Sequence, residues 1–181
     1  MAIVRRKCFI SYHHADQHEV SQFVRSFDHE QDAFIARGLG QEMSEDIINS
    51  TNTDYVMRRI RQLYLGDSTV TLVMLGKCTW ARRYVDWEIQ SSLRQGENTT
   101  PNGLLAIKLP SYELGQKIFP DRLNKNLKQN DAQEDCYARW IAYPRTTDQL
   151  VDAIERAYQR RATHRKWIVN PRDRMGYNRQ C

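Results

Sequence analysis

Ser68-Thr-Val-Thr-Leu-Val-Met-Leu75 is apolar or β-branched almost throughout and is closed by Gly76. A run of this kind reads as a strand buried on both faces, the centre of a parallel sheet. Toward the N-terminus, Lys7-Cys-Phe-Ile-Ser-Tyr12 reads as a shorter strand entering the core, followed by the polar loop His13-His-Ala-Asp16. Val20, Phe23, Val24 and Phe27 then recur at i, i+3, i+4 and i+7, the stripe of an amphipathic helix. Ala33-Phe-Ile-Ala36 is a weak second strand, broken by Gly38 and Gly40. Residues 41–52 are a polar loop, and Thr53-Asp54 can cap a helix with the stripe Val56, Ile60, Leu63 and Tyr64, stopped by Gly66.

Beyond the central strand, a helix is expected from about Arg82 to Gln95, with Val85, Ile89 and Leu93 facing inward. Leu104–Leu109 is a fourth strand, residues 110–137 are a long polar insertion with at most a helical turn, and Ala138–Tyr143 is the last strand. Thr147-Asp148 caps a final helix with the stripe Leu150, Val151, Ile154, Ala157 and Tyr158. This alternation predicts an α/β domain, its five parallel strands covered on both faces and joined by right-handed crossovers. Ligands in such sheets bind beyond the carboxyl ends of the strands, where the strand order reverses.

The 181 residues suit one domain, and the charge is unevenly placed. The chain carries a net +5, but from Gln159 to Cys181 there are seven Lys or Arg and one acid, so the body is close to neutral. A basic tail, residues 163–181, is set apart from a body over 1–162. A nucleic-acid-binding body is therefore not expected; a tail contact with nucleic acid or a membrane surface is left as a lesser reading, with a solvated or interfacial tail preferred, and Trp167-Ile-Val169 able to dock on the body. No apolar run reaches the roughly 18 residues that span a bilayer, and the start of the chain is too polar for a secretory signal, so a cytoplasmic protein with no membrane contact is expected. The four cysteines, Cys8, Cys78, Cys136 and Cys181, show no CxxC or zinc-like spacing and read as free thiols in a reducing compartment.

Four segments should converge on the carboxyl edge of the sheet: Ser11–Asp16, the loop 37–52, the turn after Leu75, and the helix holding Glu88. Helical spacing puts Tyr84, Glu88 and Ser91 or Ser92 along one face. A carboxylate beside aromatic rings can accept hydrogen bonds from a ribose diol and stabilise positive charge developing on a sugar. The competing reading pairs Glu88 with Arg82, Arg83 or Arg94 on a solvated face, and spacing alone favours it. His13, His14, Asp16 and His18 lie close in sequence but match no standard metal-ligand pattern, so no metal is expected. Cys78 sits where a catalytic thiol could lie but has no assigned histidine partner; a half-buried free thiol is preferred. Gly38-Leu-Gly40 is too short for a dinucleotide fingerprint, Trp87 and Trp140 read as core or interface, and Arg82-Arg83 could touch a pyrophosphate or be a solvated pair.

Phe9-Ile-Ser-Tyr-His-His14, Ser68–Gly76, Thr79 and Arg82-Arg-Tyr-Val-Asp-Trp-Glu-Ile89, in this order, resemble the TIR-like family of bacterial antiphage Thoeris systems over about residues 5 to 160. The resemblance implies a flavodoxin-like TIR fold. It also implies cleavage of the nicotinamide–ribose bond of NAD, and a cyclic ADP-ribose-type signal that activates an effector protein. NAD is then the substrate, and no cofactor or metal is needed. The family's catalytic glutamate corresponds to Glu88. Ser11, Tyr12, His13 and His14 fall where the family lines the adenine and phosphate side of the cleft. Tyr84 stands where TIR enzymes often carry a tryptophan, keeping an aromatic face, and Arg83 joins the substrate-binding set; self-association into a homo-oligomer is expected. The competing functions are a non-catalytic TIR adaptor acting by self-assembly and a nucleoside-processing relative of the deoxyribosyltransferases.

Overall fold

A computed structural model describes residues 4–127 and 135–181. Among the described residues the strands are β1 (Arg6–Ser11), β2 (Phe34–Arg37), β3 (Val70–Leu75), β4 (Gly103–Lys108) and β5 (Arg139–Ile141). They form one all-parallel sheet in the order β2-β1-β3-β4-β5. The chain moves outward from β1 to β2, then returns across β1 to β3, so the strand order reverses between β1 and β3, whose carboxyl ends flank a crevice.

Six α-helices connect and cover the strands among the described residues: α1 (Gln17–Val24), α2 (Glu45–Ile48), α3 (Thr53–Ile60), α4 (Arg83–Ser92), α5 (Asp121–Lys125) and α6 (Thr147–Thr163). Strand alternation sorts side chains to two faces. Cys8, Ile10, Val70, Leu72, Met74, Leu105 and Ile107 meet Val20 and Phe23 of α1 and Leu150 and Ile154 of α6. Val73, Leu75, Leu104 and Ala106 turn the other way, against Val85 and Ile89 of α4, Leu93 at its C-cap and Leu123 of α5. All six residues of β3 are buried, as its apolar run requires. Burial at about 25 cal/mol per Å² makes this two-sided core the main stabilising force.

Several local expectations shift. The cap of α3 is Asn52, whose side chain accepts from the Tyr55 amide, and that of α6 is Thr146, which accepts from the Gln149 amide. After Ile60 the helix widens into a π-type turn over Arg61–Leu65, so Leu65 takes the buried position and Leu63 is left exposed. The polar loop 41–52 carries α2, and the insertion after β4 carries α5 besides a single turn at Pro110–Leu114; part of that insertion, 128–134, lies outside the described residues.

The tail lies along the outer side of α4. Its anchor is the buried ion pair of Asp86 on α4 with Arg122 on α5, Nε to Oδ1 2.8 Å. The same guanidinium donates to Asn170 Oδ1 and to the carbonyls of Pro171 and Asp173, while the Met175 amide donates to Asp86. Gln90 donates to the carbonyls of Pro171 and Arg172, and Trp87 Nε1 to that of Met175. At its end Cys181 is joined to Cys78 by a disulfide. The expectation of four free thiols therefore fails for this pair, because the tail returns to the turn after β3 across a separation of 103 residues. Cys8 and Cys136 are buried and lie outside that disulfide.

Candidate active site

At the carboxyl ends of β1 and β2, against the start of α4, lies a cavity of about 420 Å³, within the size range of small-molecule sites. Tyr12, His13 and His14 follow β1; Gly38, Gln41, Glu42 and Met43 follow β2; Arg82, Tyr84, Val85 and Glu88 come from α4 and its cap; Asn178 comes from the tail.

Two backbone details make the crevice possible. Gly38 has φ +80°, and a Cβ there would overlap the Phe9 ring. Gly76, just after β3, stands where a Cβ would overlap the Asp16 carboxylate, which is turned inward. Thr79 ties these two loops together: its hydroxyl accepts from the Gly76 amide at 2.8 Å and lies 3.4 Å from Asp16 Oδ2. Asp16 is thus a brace between the first loop and the turn after β3. Across the opening, the Tyr64 hydroxyl accepts from the Ser44 amide and donates to the Glu42 carbonyl, fixing the loop after β2.

Glu88 sits one turn past Tyr84, half-buried at the cavity wall. Its hydrogen-bond partner is the fully buried Ser11 at the end of β1, with Oγ donating to Oε2 at 2.5 Å. Among the described residues it forms no ion pair, so the solvated pairing with Arg82, Arg83 or Arg94 is not the arrangement found. Burial pushes its carboxyl up to about 8, and the Ser11 hydroxyl opposes that shift. Ser91 and Ser92 do not share its open face; both are buried, Ser91 donating to the Met57 carbonyl and Ser92 bonded to Thr71.

The other expected site residues divide. Tyr12 is half-buried, its hydroxyl donating to Gln17 and accepting from the Gly40 amide at 3.2 Å. His13 and His14 pack edge to face, 4.3 Å between ring centroids. Burial, with the charges of Arg82 and His14, lowers the His13 imidazole to about 4, so it meets a ligand neutral. Tyr84 lines the cavity and packs edge to face on Trp87 at 5.4 Å. Ser11 lies behind Glu88 rather than in the lining, and Arg83 turns away, bonded to the Gly176 carbonyl and the Tyr84 hydroxyl. Arg82 faces the cavity instead, its Nε on the Cys78 carbonyl at 3.3 Å. Cys78 is in the disulfide and is no nucleophile. The lining residue the sequence gives no sign of is Asn178, which follows the last periodic helix by more than a dozen residues and reaches the site only because the tail folds back.

The assembly joins one partly desolvated carboxylate, aromatic faces, a neutral imidazole and a guanidinium in a crevice at the reversal of strand order. Among the described residues no group of His, Cys, Asp or Glu is arranged to hold a metal ion. Comparison with curated proteins finds no match. Residues 9–113, which run from β1 through α4 and β4 and include Ser11, Tyr12, Arg82, Tyr84 and Glu88, match the family model described as Thoeris protein ThsB, TIR-like domain. That span is more than half of the chain, and the protein belongs to the Thoeris ThsB TIR-like family.

Proposed function

We propose that this protein is an antiphage-defence enzyme that cleaves NAD at the nicotinamide–ribose bond and makes a cyclic ADP-ribose-type nucleotide, which activates a separate effector protein. The observation that carries this reading is Glu88, held at the cavity wall by Ser11 alone and without a neutralising cation among the described residues. As the bond breaks, positive charge leaves the pyridinium nitrogen and develops on the ribose ring. A carboxylate fixed beside that ring stabilises the change and holds the ribose hydroxyls. Tyr84 or Tyr12 offers a face for stacking, Arg82 a cation for the pyrophosphate, and neutral His13 a hydrogen-bonding edge. Attack on the ribosyl carbon by a nitrogen or hydroxyl of the same nucleotide closes a ring; attack by water gives ADP-ribose and a proton.

The protein works in the cytoplasm as a homo-oligomer in this reading. The test is release of nicotinamide from NAD by the purified chain, alone and with lysate of infected cells, beside Glu88→Gln, with products identified by mass spectrometry. Release by the wild type and its loss in the variant support the reading. Silence under both conditions, with Glu88→Gln still protecting cells, favours an adaptor that acts by assembly.

A further inference from the structure

The tail divides into two halves of unequal attachment. Residues 169–175 are riveted by buried groups: Arg122 and Asp86, Gln90, and Asn126, which donates to the Val169 carbonyl and accepts from its amide. Residues 176–181 lie exposed. Among the described residues their non-covalent contacts include an ion pair of Arg179 with Asp121 in which both side chains are about half exposed, the Arg179 amide on the Ala81 carbonyl, and two contacts with Arg83. Exposed contacts of this kind hold a segment weakly. Gly176 separates the halves, with open space where a side chain would be.

The outer half nevertheless does two things for the cavity. Asn178 lines it, and the Asn178 side-chain oxygen accepts from the Arg83 amide at 2.9 Å. Arg82, at the cap position of α4, offers no side-chain acceptor, so the tail supplies the cap of the helix that carries Glu88. Three residues beyond Asn178 the chain is bonded covalently to Cys78.

We propose that residues 176–181 form a thiol-operated latch on the cavity, with Asn178 as a positioning residue and the Cys78–Cys181 disulfide as its catch. Reduction by a dithiol breaks the sulfur–sulfur bond. Two electrons and two protons pass to Cys78 and Cys181, and the reductant closes its own disulfide. The outer half then swings at Gly176, uncapping α4 and widening the cavity mouth, while 169–175 stays seated. The consequence for ligand affinity rests on the nucleotide reading above; the latch itself does not.

The full chain, oxidised with glutathione disulfide, is compared with the same protein after dithiothreitol and with Cys181→Ser, using amide hydrogen exchange and calorimetric binding of ADP-ribose. In the oxidised, denatured protein only Cys8 and Cys136 should titrate as thiols. Reduction should speed exchange at Arg83 and Arg179 at least about tenfold, leave Met175 protected, and weaken ADP-ribose binding several-fold. Cys181→Ser should match the reduced state and ignore dithiothreitol. Four titrating thiols after oxidation, or equal exchange at Arg179 in both states, overturns the latch. ADP-ribose binding to neither form while Arg179 still follows the redox state keeps the latch and removes the nucleotide reading. Turnover lost in Glu88→Gln, with Arg179 exchange equal in both redox states, does the reverse.

Discussion

Glu88 carries the heaviest demand at the scale of single residues, because burial holds it neutral below about pH 8 while its proposed role needs the anion. Accordingly kcat/KM, which reports the free enzyme, should rise with pH along a limb near 8 and level above it. Bound NAD places a cationic ring beside the carboxylate and favours its charged form, so the corresponding limb in kcat should lie at lower pH. Ser11→Ala removes the hydroxyl that favours the anion and should move the kcat/KM limb upward, a shift visible in a pH–rate profile. Stability carries the same sign. Between the ordinary carboxyl value of 4.5 and about 8 the folded state binds more protons at this site than the unfolded state does. This site's contribution is therefore complete below 4.5 and is lost as pH rises to 8. Glu88→Gln escapes that loss and should exceed the wild type in stability at pH 9 by roughly 2–3 kcal/mol, read by urea denaturation. At this scale the spacing of Tyr84 and Glu88 was readable as one helix turn, but the Ser11 contact was not, since it joins positions 77 residues apart.

Among the elements, α4 explains both what was legible and what was not. Its inner stripe of Val85, Ile89 and Leu93 follows from helical periodicity alone and is buried as that periodicity requires. Its other buried groups, Asp86, Trp87 and Gln90, bond to partners on the tail and α5 that no local pattern announces. Between the turn that bears Glu88 and the tail, the Asp86–Arg122 pair is enclosed at both ends. Arg122→Ala leaves the Asp86 charge buried and takes the donor from Asn170 Oδ1 and the Asp173 carbonyl, and should cost about 3–5 kcal/mol, measured by thermal or urea unfolding. Limited proteolysis of that variant should cut first within 169–181. The outer helix positions went astray for a related reason: Leu63 fits an ideal 3.6-residue stripe, but the π-type turn after Ile60 rotates Leu65 into its place.

In the molecule as a whole, the order of strands and helices was readable because each strand is bounded by glycine or a polar loop and β3 is apolar on both faces. That alternation put the site at the carboxyl edge of the sheet, where the loops after β1 and β2 and the start of α4 line the cavity; the strand order that sets the reversal was not readable. The tail was readable only at Trp167-Ile-Val169, where Ile168 packs on the core and Val169 bonds to Asn126; the rest is basic and aperiodic, and only tertiary contact shows it wrapped on α4 and bonded to Cys78. A bond closing so long a loop restricts the unfolded chain, and Cys181→Ser should lower stability by about 2–4 kcal/mol with little change in secondary structure by circular dichroism. The proposed function stands on the chemistry at the crevice. Nicotinamide released from NAD by wild-type and Glu88→Gln protein, measured side by side at pH 8 with infected-cell lysate present, reads it most directly. A fall of at least about 10²–10³-fold in the variant, with the variant still folded, is the predicted result. Equal release by the two proteins would contradict it.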